Sequence, residues 1–391
     1  MAPSTSASRV HIAAPSRIWN WVLAKQGLGG GCGLASVNSA AEQSLGLHSA
    51  RVISPYVTAA ARTSSAASLA NLLGEVDDPA LITIRCMRKT LHTLPVEMAT
   101  YAHAATRPYR LRDVGSLARR SGLSLEQLEA LAGEVIEHLG ITGRQSHRQI
   151  EQAVARNGHE LAAARLALKL LWERGEVTYR NCSPNWNHEV RRFQLRTFSH
   201  PRFDPEMSTD AGIHALVEAY FTRYGPATLL DASWWSGLGQ GRIAQALGRL
   251  HVMEMELPWA GRPFYMTAKA FEEYEASPID MGKTSVNLLA HEDVALKAYF
   301  ESRSRYLGDL APSQAFNQIG EVRPTILHDG QVVGLWVWNR VQGRIRYWHV
   351  SGLTTPAGRS MTRKKVSELE GRLRVPYSGA EAASLEKGVR F

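Results

Sequence analysis

The sequence predicts an α+β fold, mainly helical, made of tandem winged-helix domains with a small β-rich C-terminal unit. Three observations carry that expectation. The run from Thr209 to Thr267 spells three helices and a hairpin. A similar order precedes it between residues 113 and 200, and the last third turns to apolar strands joined by tight turns. The spacing divides the chain into segments 11–112, 113–200, 205–270 and 280–391, the first three winged-helix-like and the fourth rich in β structure.

In the clearest segment, Ile213, Leu216, Val217, Tyr220 and Phe221 recur at helical spacing until Gly225-Pro226, where glycine frees the backbone and proline forbids continuation. Asp231 is placed to cap a short second helix carrying Ala232 to Trp235, and Arg242 to Leu250 forms a third with Ile243, Ala246 and Leu247 on one face. Met253, Met255 and Leu257 then alternate with Glu254 and Glu256, Pro258-Trp259-Ala260-Gly261 turns, and Phe264-Tyr265-Met266 returns as a hairpin wing does. Helix-turn-helix order followed by a wing suggests nucleic acid as the ligand.

Upstream, Val114 to Arg120, Ser124 to Leu139 and His159 to Glu173 read as helices, with Ser124 as N-cap and Gly175 as the stop. Val177 to Arg180 and Val190 to Leu195 read as strands around a long Asn-rich turn tipped by Asn185 and Trp186. Such a basic wing, with Arg180 and Arg191 on its strands, fits a plain surface hairpin. It also fits a groove probe, because Arg and Asn read groove edges while an apolar tip wedges between base steps.

Further along, Arg323 to Trp336 is a hairpin closed by Asp329-Gly330, and Arg344 to His349 is a third strand. The tail beyond Ser351 is basic, and Arg372 to Phe391 has no clear pattern. At the other end, Arg17 to Leu28 is helical and runs into Gly27, Gly29, Gly30, Gly31 and Gly33. No Lys-Ser or Lys-Thr follows those glycines, so a phosphate loop is not supported. Val37 to Arg62 reads as an alanine-rich helical stretch broken near Pro55.

Length and composition set the outer bounds. A chain of 391 residues exceeds what one core serves, and 45 Lys+Arg against 36 Asp+Glu leave a formal charge of +9, which favours polyanions. Between Arg85 and Arg120 eight bases face only Glu97 and Asp113, giving either solvated helix faces or a phosphate-tracking surface. Hydrophobic content of 44% excludes wholesale disorder, and no apolar run is long enough to span a bilayer. Met1 to Val10 lacks the apolar core of a signal peptide, so a cytoplasmic, nucleoid-associated location is expected. Cys32, Cys86 and Cys182 form neither a disulfide framework nor a zinc ribbon, and His291-Glu292 lacks the second histidine of a zincin, Ala295 standing in its place. No metal and no cofactor is expected.

Three stretches, taken together, resemble the winged-helix DNA glycosylases of the AlkZ-like and YcaQ-like group, which excise alkylated bases or bulky adducts. They are Arg85-Cys86-Met87-Arg88-Lys89-Thr90-Leu91-His92, Tyr224 to Leu238, and His328 to Trp336, in the order the group has them. The resemblance implies a DNA-gripping body acting on duplex DNA with an alkylated or adducted purine. It also implies a catalytic motif, which in the group reads Gly-Leu-Gln-x-Gln or Gln-x-Asp before a helix ending in Ala-Arg. Here Gly46-Leu47-His48-Ser49-Ala50 leads to Ala61-Arg62, so His48 stands at the first polar position and Ala50 at the second. Members tied to self-resistance against DNA-alkylating antibiotics are similar in placing His there.

On that alignment the catalytic candidates are His48 and Ser49. Alkylation at purine N7 makes the base a good leaving group, so the protein has chiefly to place a water and stabilise an oxocarbenium-like sugar. A neutral His48 suits that work, whereas Ser49, read at helical spacing, points away from it. The candidate DNA contacts are Arg51, Arg85, Arg88, Lys89, His92, Arg180, Asn185, Trp186, Arg191 and Arg242. Arg51 fits an exposed helix arginine as well as a phosphate contact, and His92 fits a buried, backbone-bonded histidine equally well. Trp234 and Trp235, about 100° apart on a helix, are expected to put at least one ring in the core. The expected activity is that of a monofunctional DNA glycosylase working as a monomer, with bulky N7-guanine adducts favoured because Ala50 and the nearby glycines leave room. A non-catalytic winged-helix DNA-binding regulator is the alternative that Ala50 keeps open. An enzyme of antibiotic biosynthesis on a borrowed scaffold leaves no signature.

Overall fold

The computed structural model describes residues 8–31, 33–63, 80–182, 189–277, 285–339 and 341–374, and these form two compact units. The first unit joins the N-terminal part, up to residue 76, with residues 214–376; the second holds residues 77–213.

The chain opens with strand β1 (Ser8–Val10), then α1 (Pro15–Lys25), whose Ile18, Trp19 and Val22 face the core. The stretch read as one broken helix is helix, strand, helix: α2 (Val37–Gln43), β2 (Leu47–His48) and α3 (Ser54–Arg62). Pro55 does not break it. Proline sits in the first turn of α3, where its missing N–H costs nothing. The break lies earlier, at Leu45 and Gly46, both with positive φ, and the Gly46 N–H reaches back to Ala41 O at 2.7 Å.

The second unit begins with a hairpin of β3 (Leu81–Arg85) and β4 (Leu91–Pro95), antiparallel, with Ile84 opposite His92. A single helix α4 (Val96–Arg120) follows, longer than the Val114–Arg120 segment its periodicity suggested and continuing through Pro108. Then come α5 (Leu125–Thr142), β5 (Gln145–Ser146), α6 (His147–Ala155) and α7 (Leu161–Arg174). Ser124 and Gln127 form a reciprocal capping box at the start of α5, and Gly175 closes α7 in the left-handed region. The short α6 was not anticipated, yet Ser146 and Gln149 cap it by the same device. Strands β6 (Val177–Asn181) and β7 (Arg191–Leu195) pair antiparallel, with β5 on the far side of β7. Val135, Leu139, Ile150, Leu171 and Phe193 form the core among these elements. The one-turn helix α8 (Arg196–Ser199) follows.

Beyond it, α9 (Thr209–Arg223), α10 (Leu229–Ser236) and α11 (Gln240–Leu247) lead into the antiparallel pair β8 (Val252–Met255) and β9 (Phe264–Thr267), with β1 added parallel to β8. The cap of α10 is Thr228 rather than Asp231. Asp231 is the third helical residue and returns the bond to the Thr228 N–H, because a carboxylate there satisfies a second orphan donor. After α12 (Ala268–Ala276), β10 (Val286–Leu289) starts the C-terminal sheet, and two short helices follow, α13 (Val294–Lys297) and α14 (Ser304–Leu307). Strands β11 (Thr325–His328), β12 (Gln331–Asn339) and β13 (Arg344–His349) complete the order β10-β11-β12-β13. Asp329 and Gly330 turn β11 into β12 with positive φ at both positions, as a two-residue hairpin requires. The basic tail forms α15 (Pro356–Arg374). The fold is mixed α+β, dominated by helices with small sheets.

Candidate active site

The site is built around β2. The left-handed turn at Leu45-Gly46 ends α2 and swings the chain so that His48 enters the interior, 3% exposed, instead of continuing a helix. Ser49 is therefore not at helical spacing from His48, as the sequence reading had it. Its hydroxyl donates to Leu47 O at 2.9 Å. The chain then turns into α3, where Ser54 Oγ donates to His291 O at 3.0 Å and Thr58 Oγ1 reaches Asp293 at 3.4 Å.

One turn further on, Arg62 meets Asp293 through two hydrogen bonds of 2.9 and 2.6 Å, with both side chains out of solvent. The second carboxylate oxygen set is completed by the Ala295 N–H at 3.0 Å, which makes Asp293 the N-cap of α13. A planar guanidinium matches a carboxylate bidentately, and each partner here makes a further backbone hydrogen bond, Arg62 to Thr58 O and Asp293 from the Ala295 N–H.

The residue before Asp293 faces the other way. Glu292 is buried, holds φ at 57, and accepts the Val322 N–H on Oε1 at 2.6 Å. Its Oε2 lies 2.5 Å from Lys297 Nζ and 3.9 Å from His48 Nε2. Positive φ is uncommon for a glutamate, and such strain persists only where the surroundings fix it. Here the fixing groups are the Val322 amide, Lys297 and the Asp293 anchor. Lys297 Nζ in turn lies 5.3 Å from the centre of the Trp234 ring. Trp234 is half-buried and stacks with Phe300 at 4.7 Å and 30°, while Trp235 is buried in the core beside Tyr220. Asp231 fixes this aromatic edge by accepting the backbone N–H groups of Phe300, Glu301 and Ser302 at 2.8, 2.8 and 3.2 Å. Arg303 lies 4.7 Å from the Phe300 ring centre and 5.4 Å from that of Trp234.

At the margin, Glu321 gathers Asn317 at 2.8 Å, His291 at 3.3 Å and Arg51 at 3.7 Å. Burial alone would raise the Glu321 carboxyl, but the Asn317 hydrogen bond and the His291 and Arg51 charges outweigh it and hold it below its ordinary value. Burial holds the His291 imidazole below its ordinary value despite the neighbouring carboxylates. Among the described residues no three His, Cys, Asp or Glu side chains converge as a metal-binding group.

Of the residues singled out in the sequence, His48, Ser49 and Arg51 share this region of the first unit. Arg242 is also in that unit, exposed on α11. Arg85, Arg88, Lys89 and His92 gather on the β3–β4 hairpin of the second unit. Arg85 is paired with Glu173 at 2.6 Å, Lys89 with Asp113 at 2.7 Å, and Arg88 has φ 52. His92 is buried, with Nδ1 3.3 Å from Thr90 O and 3.6 Å from Cys86 Sγ. Arg180 is exposed at the end of β6, and Arg191 pairs with Glu189 at 2.7 Å while lying 4.9 Å from the Tyr179 ring centre. Asn185 and Trp186 lie outside the described residues. Glu292 and Lys297 were passed over: His291-Glu292 was weighed only as a metal motif. The signal that marks them is an adjacent acid pair, Glu292-Asp293, at the start of a helix.

A neutral imidazole beside a carboxylate can take a proton from water, and the carboxylate steadies the imidazolium that forms. A search of curated proteins gave no match. Among solved structures, the Streptomyces sahachiroi DNA glycosylase AlkZ superposes with a TM-score of 0.72 over 93% of this chain and 98% of that one, at 20% identity, a likeness of fold. The profile of the family described as DNA glycosylase AlkZ-like matches residues 42–373, which takes in both the His48 strand and the Glu292 segment. With so much of its length matched, the chain belongs to the AlkZ-like DNA glycosylase family.

Proposed function

We propose that this protein hydrolyses the N-glycosidic bond of alkylated purines in duplex DNA, acting as a monofunctional glycosylase and as a monomer. We further propose bulky N7-guanine adducts of a genotoxic natural product as its substrates, in a DNA-repair role that confers self-resistance. The observation that carries the reading is the buried approach of His48 Nε2, on the motif strand, to Glu292 Oε2, in the turn before α13, 3.9 Å apart. His48 takes the proton of the attacking water while Glu292 stabilises the resulting imidazolium, general-base help worth roughly 10²–10⁴ in rate. Ser49 flanks that water. The positive charge of the N7-alkylated purine makes departure of the base easy, so one titratable pair suffices and Ala50 need not contribute.

Two runs support tandem winged helices as the DNA-gripping parts. One is α5-β5-α6-α7 followed by β6 and β7, the other α9-α10-α11 followed by β8 and β9. We assign the segments 11–112, 113–200 and 205–270 to three such modules and 280–391 to the β-rich domain. Arg51, Arg85, Arg88, Lys89, His92, Arg180, Asn185, Trp186, Arg191 and Arg242 are the proposed DNA contacts.

The test is base release from duplex DNA carrying small or bulky N7-alkylguanine adducts, with wild type and His48→Ala side by side. Release that falls at least about tenfold in the variant, with DNA affinity kept, supports the reading. Tight binding without release from either substrate overturns it. That outcome favours a non-catalytic DNA-binding regulator, the reading to which Ala50 at the second motif position points.

A further inference from the structure

His48 and Glu292 do not form a balanced pair by themselves when the imidazole is neutral. A buried carboxylate needs a positive partner, and with no other cation at hand it takes the nearest imidazole, locking His48 as imidazolium and useless as a base. Lys297 removes that need. Its ammonium lies 2.5 Å from Glu292 Oε2, the same oxygen that faces His48 at 3.9 Å, and both Lys297 and Glu292 are buried.

We propose that Lys297 is a positioning residue that keeps His48 neutral: its ammonium is the charge partner of the Glu292 carboxylate, so that the imidazole can accept a proton. The inference rests on the assignment of His48 as general base. The Val322 N–H holds Glu292 Oε1 at 2.6 Å, so Oε2 alone mediates between the lysine and the histidine. Among the described residues, the other charges near this site are balanced or turned elsewhere. Asp293 is matched bidentately by Arg62, Glu321 is paired with Arg51, and Arg303 lies over the Trp234, Phe300 and Phe316 rings. With Lys297 present, a neutral His48 leaves the triad uncharged. Without it, the uncharged state of the pair requires His48 to be protonated.

The experiment is a histidine NMR titration of the full-length protein from about pH 5 to pH 9, paired with single-turnover base release over the same range. The variants are Lys297→Met, Lys297→Arg and the double variant Lys297→Met/Glu292→Gln. Lys297→Met is expected to raise the His48 titration midpoint by about one pH unit or more and to move the acid limb of the rate profile upward with it. Lys297→Arg is expected to restore the wild-type midpoint. The double variant, with neither charge of the Lys297–Glu292 pair left, is expected to titrate His48 below Lys297→Met and near the wild-type midpoint; where Lys297→Met fails to fold, a double-variant midpoint well above wild type overturns the proposal. An unchanged His48 midpoint in Lys297→Met, or a rate lowered equally at every pH, overturns the proposal. The titration does not depend on catalysis. If His48→Ala keeps full activity while the midpoint still shifts, the general-base assignment fails and the charge relation stands.

Discussion

Arg62 and Asp293, 231 positions apart, share two hydrogen bonds of 2.9 and 2.6 Å in complete burial. That fork ties the helix after the motif strand to the segment that carries Glu292. Removing one partner leaves the other charge stranded. Arg62→Ala is therefore expected to cost about 3–5 kcal/mol of stability in urea unfolding. An unfolding midpoint equal to wild type would show that the pair is not anchoring anything.

Arg51 and Arg242 are exposed, so their replacement tests DNA contact with little risk to the fold. Each change to Ala is expected to weaken duplex binding and to lower the slope of log affinity against log salt by about one, with the melting temperature unchanged. A slope identical to wild type removes that residue from the phosphate-contacting set.

Burial raises the Cys86 thiol to about 12. The native protein should then leave Cys86 unmodified by a thiol reagent near neutral pH, while denatured protein reacts. Because the folded value lies above the ordinary value of 9.0, the stabilisation is complete below about 9 and is lost as pH rises through the folded value of about 12. Rapid native labelling of Cys86, mapped by mass spectrometry, contradicts this.

At the acid end, burial, reinforced by Arg110 and Arg107, holds His103 well below the ordinary histidine range. Burial likewise lowers His200 and His291. The unfolded chain takes up protons at these positions before the folded one does, so stability present above about pH 6.5 is lost as pH falls through the folded values. Melting temperatures are expected to decline below that point, and a flat profile from pH 7 to about pH 5 counts against it.

A Cβ on Gly330 would lie 2.6 Å from Leu23 Cδ1 and 2.8 Å from Trp19 Nε1, at a residue with φ of +79. Gly330→Ala is expected to cost more than about 1 kcal/mol, because the left-handed strain adds to the overlap. Calorimetry of the variant checks it.

Local patterns made much of the fold legible. The apolar spacing from Ile213 to Phe221, the Ser124 cap and the Asp329-Gly330 turn are short-range signals, and each lies in the element that its chemistry implies. The strand carrying His48 was not legible. Two residues between helices have no periodicity, and the deciding signal, a left-handed Leu45 before Gly46, is a conformation leucine seldom adopts. Glu292 and Lys297 escaped for a different reason: what makes them part of the site is their approach to a residue far away in the chain, which no local window contains.

Glu292 and Asp293 are neighbours in the chain but serve different masters, one turned to the pocket and the other to the scaffold. A single peptide unit links them, so whatever loosens the scaffold tilts the pocket. An inactive Asp293 variant would thus mimic the loss of a reacting group while every atom near the sugar kept its identity. Under the proposed assignment, loss of activity at position 293 reports on alignment, whereas a change at 48 or 292 reports on chemistry.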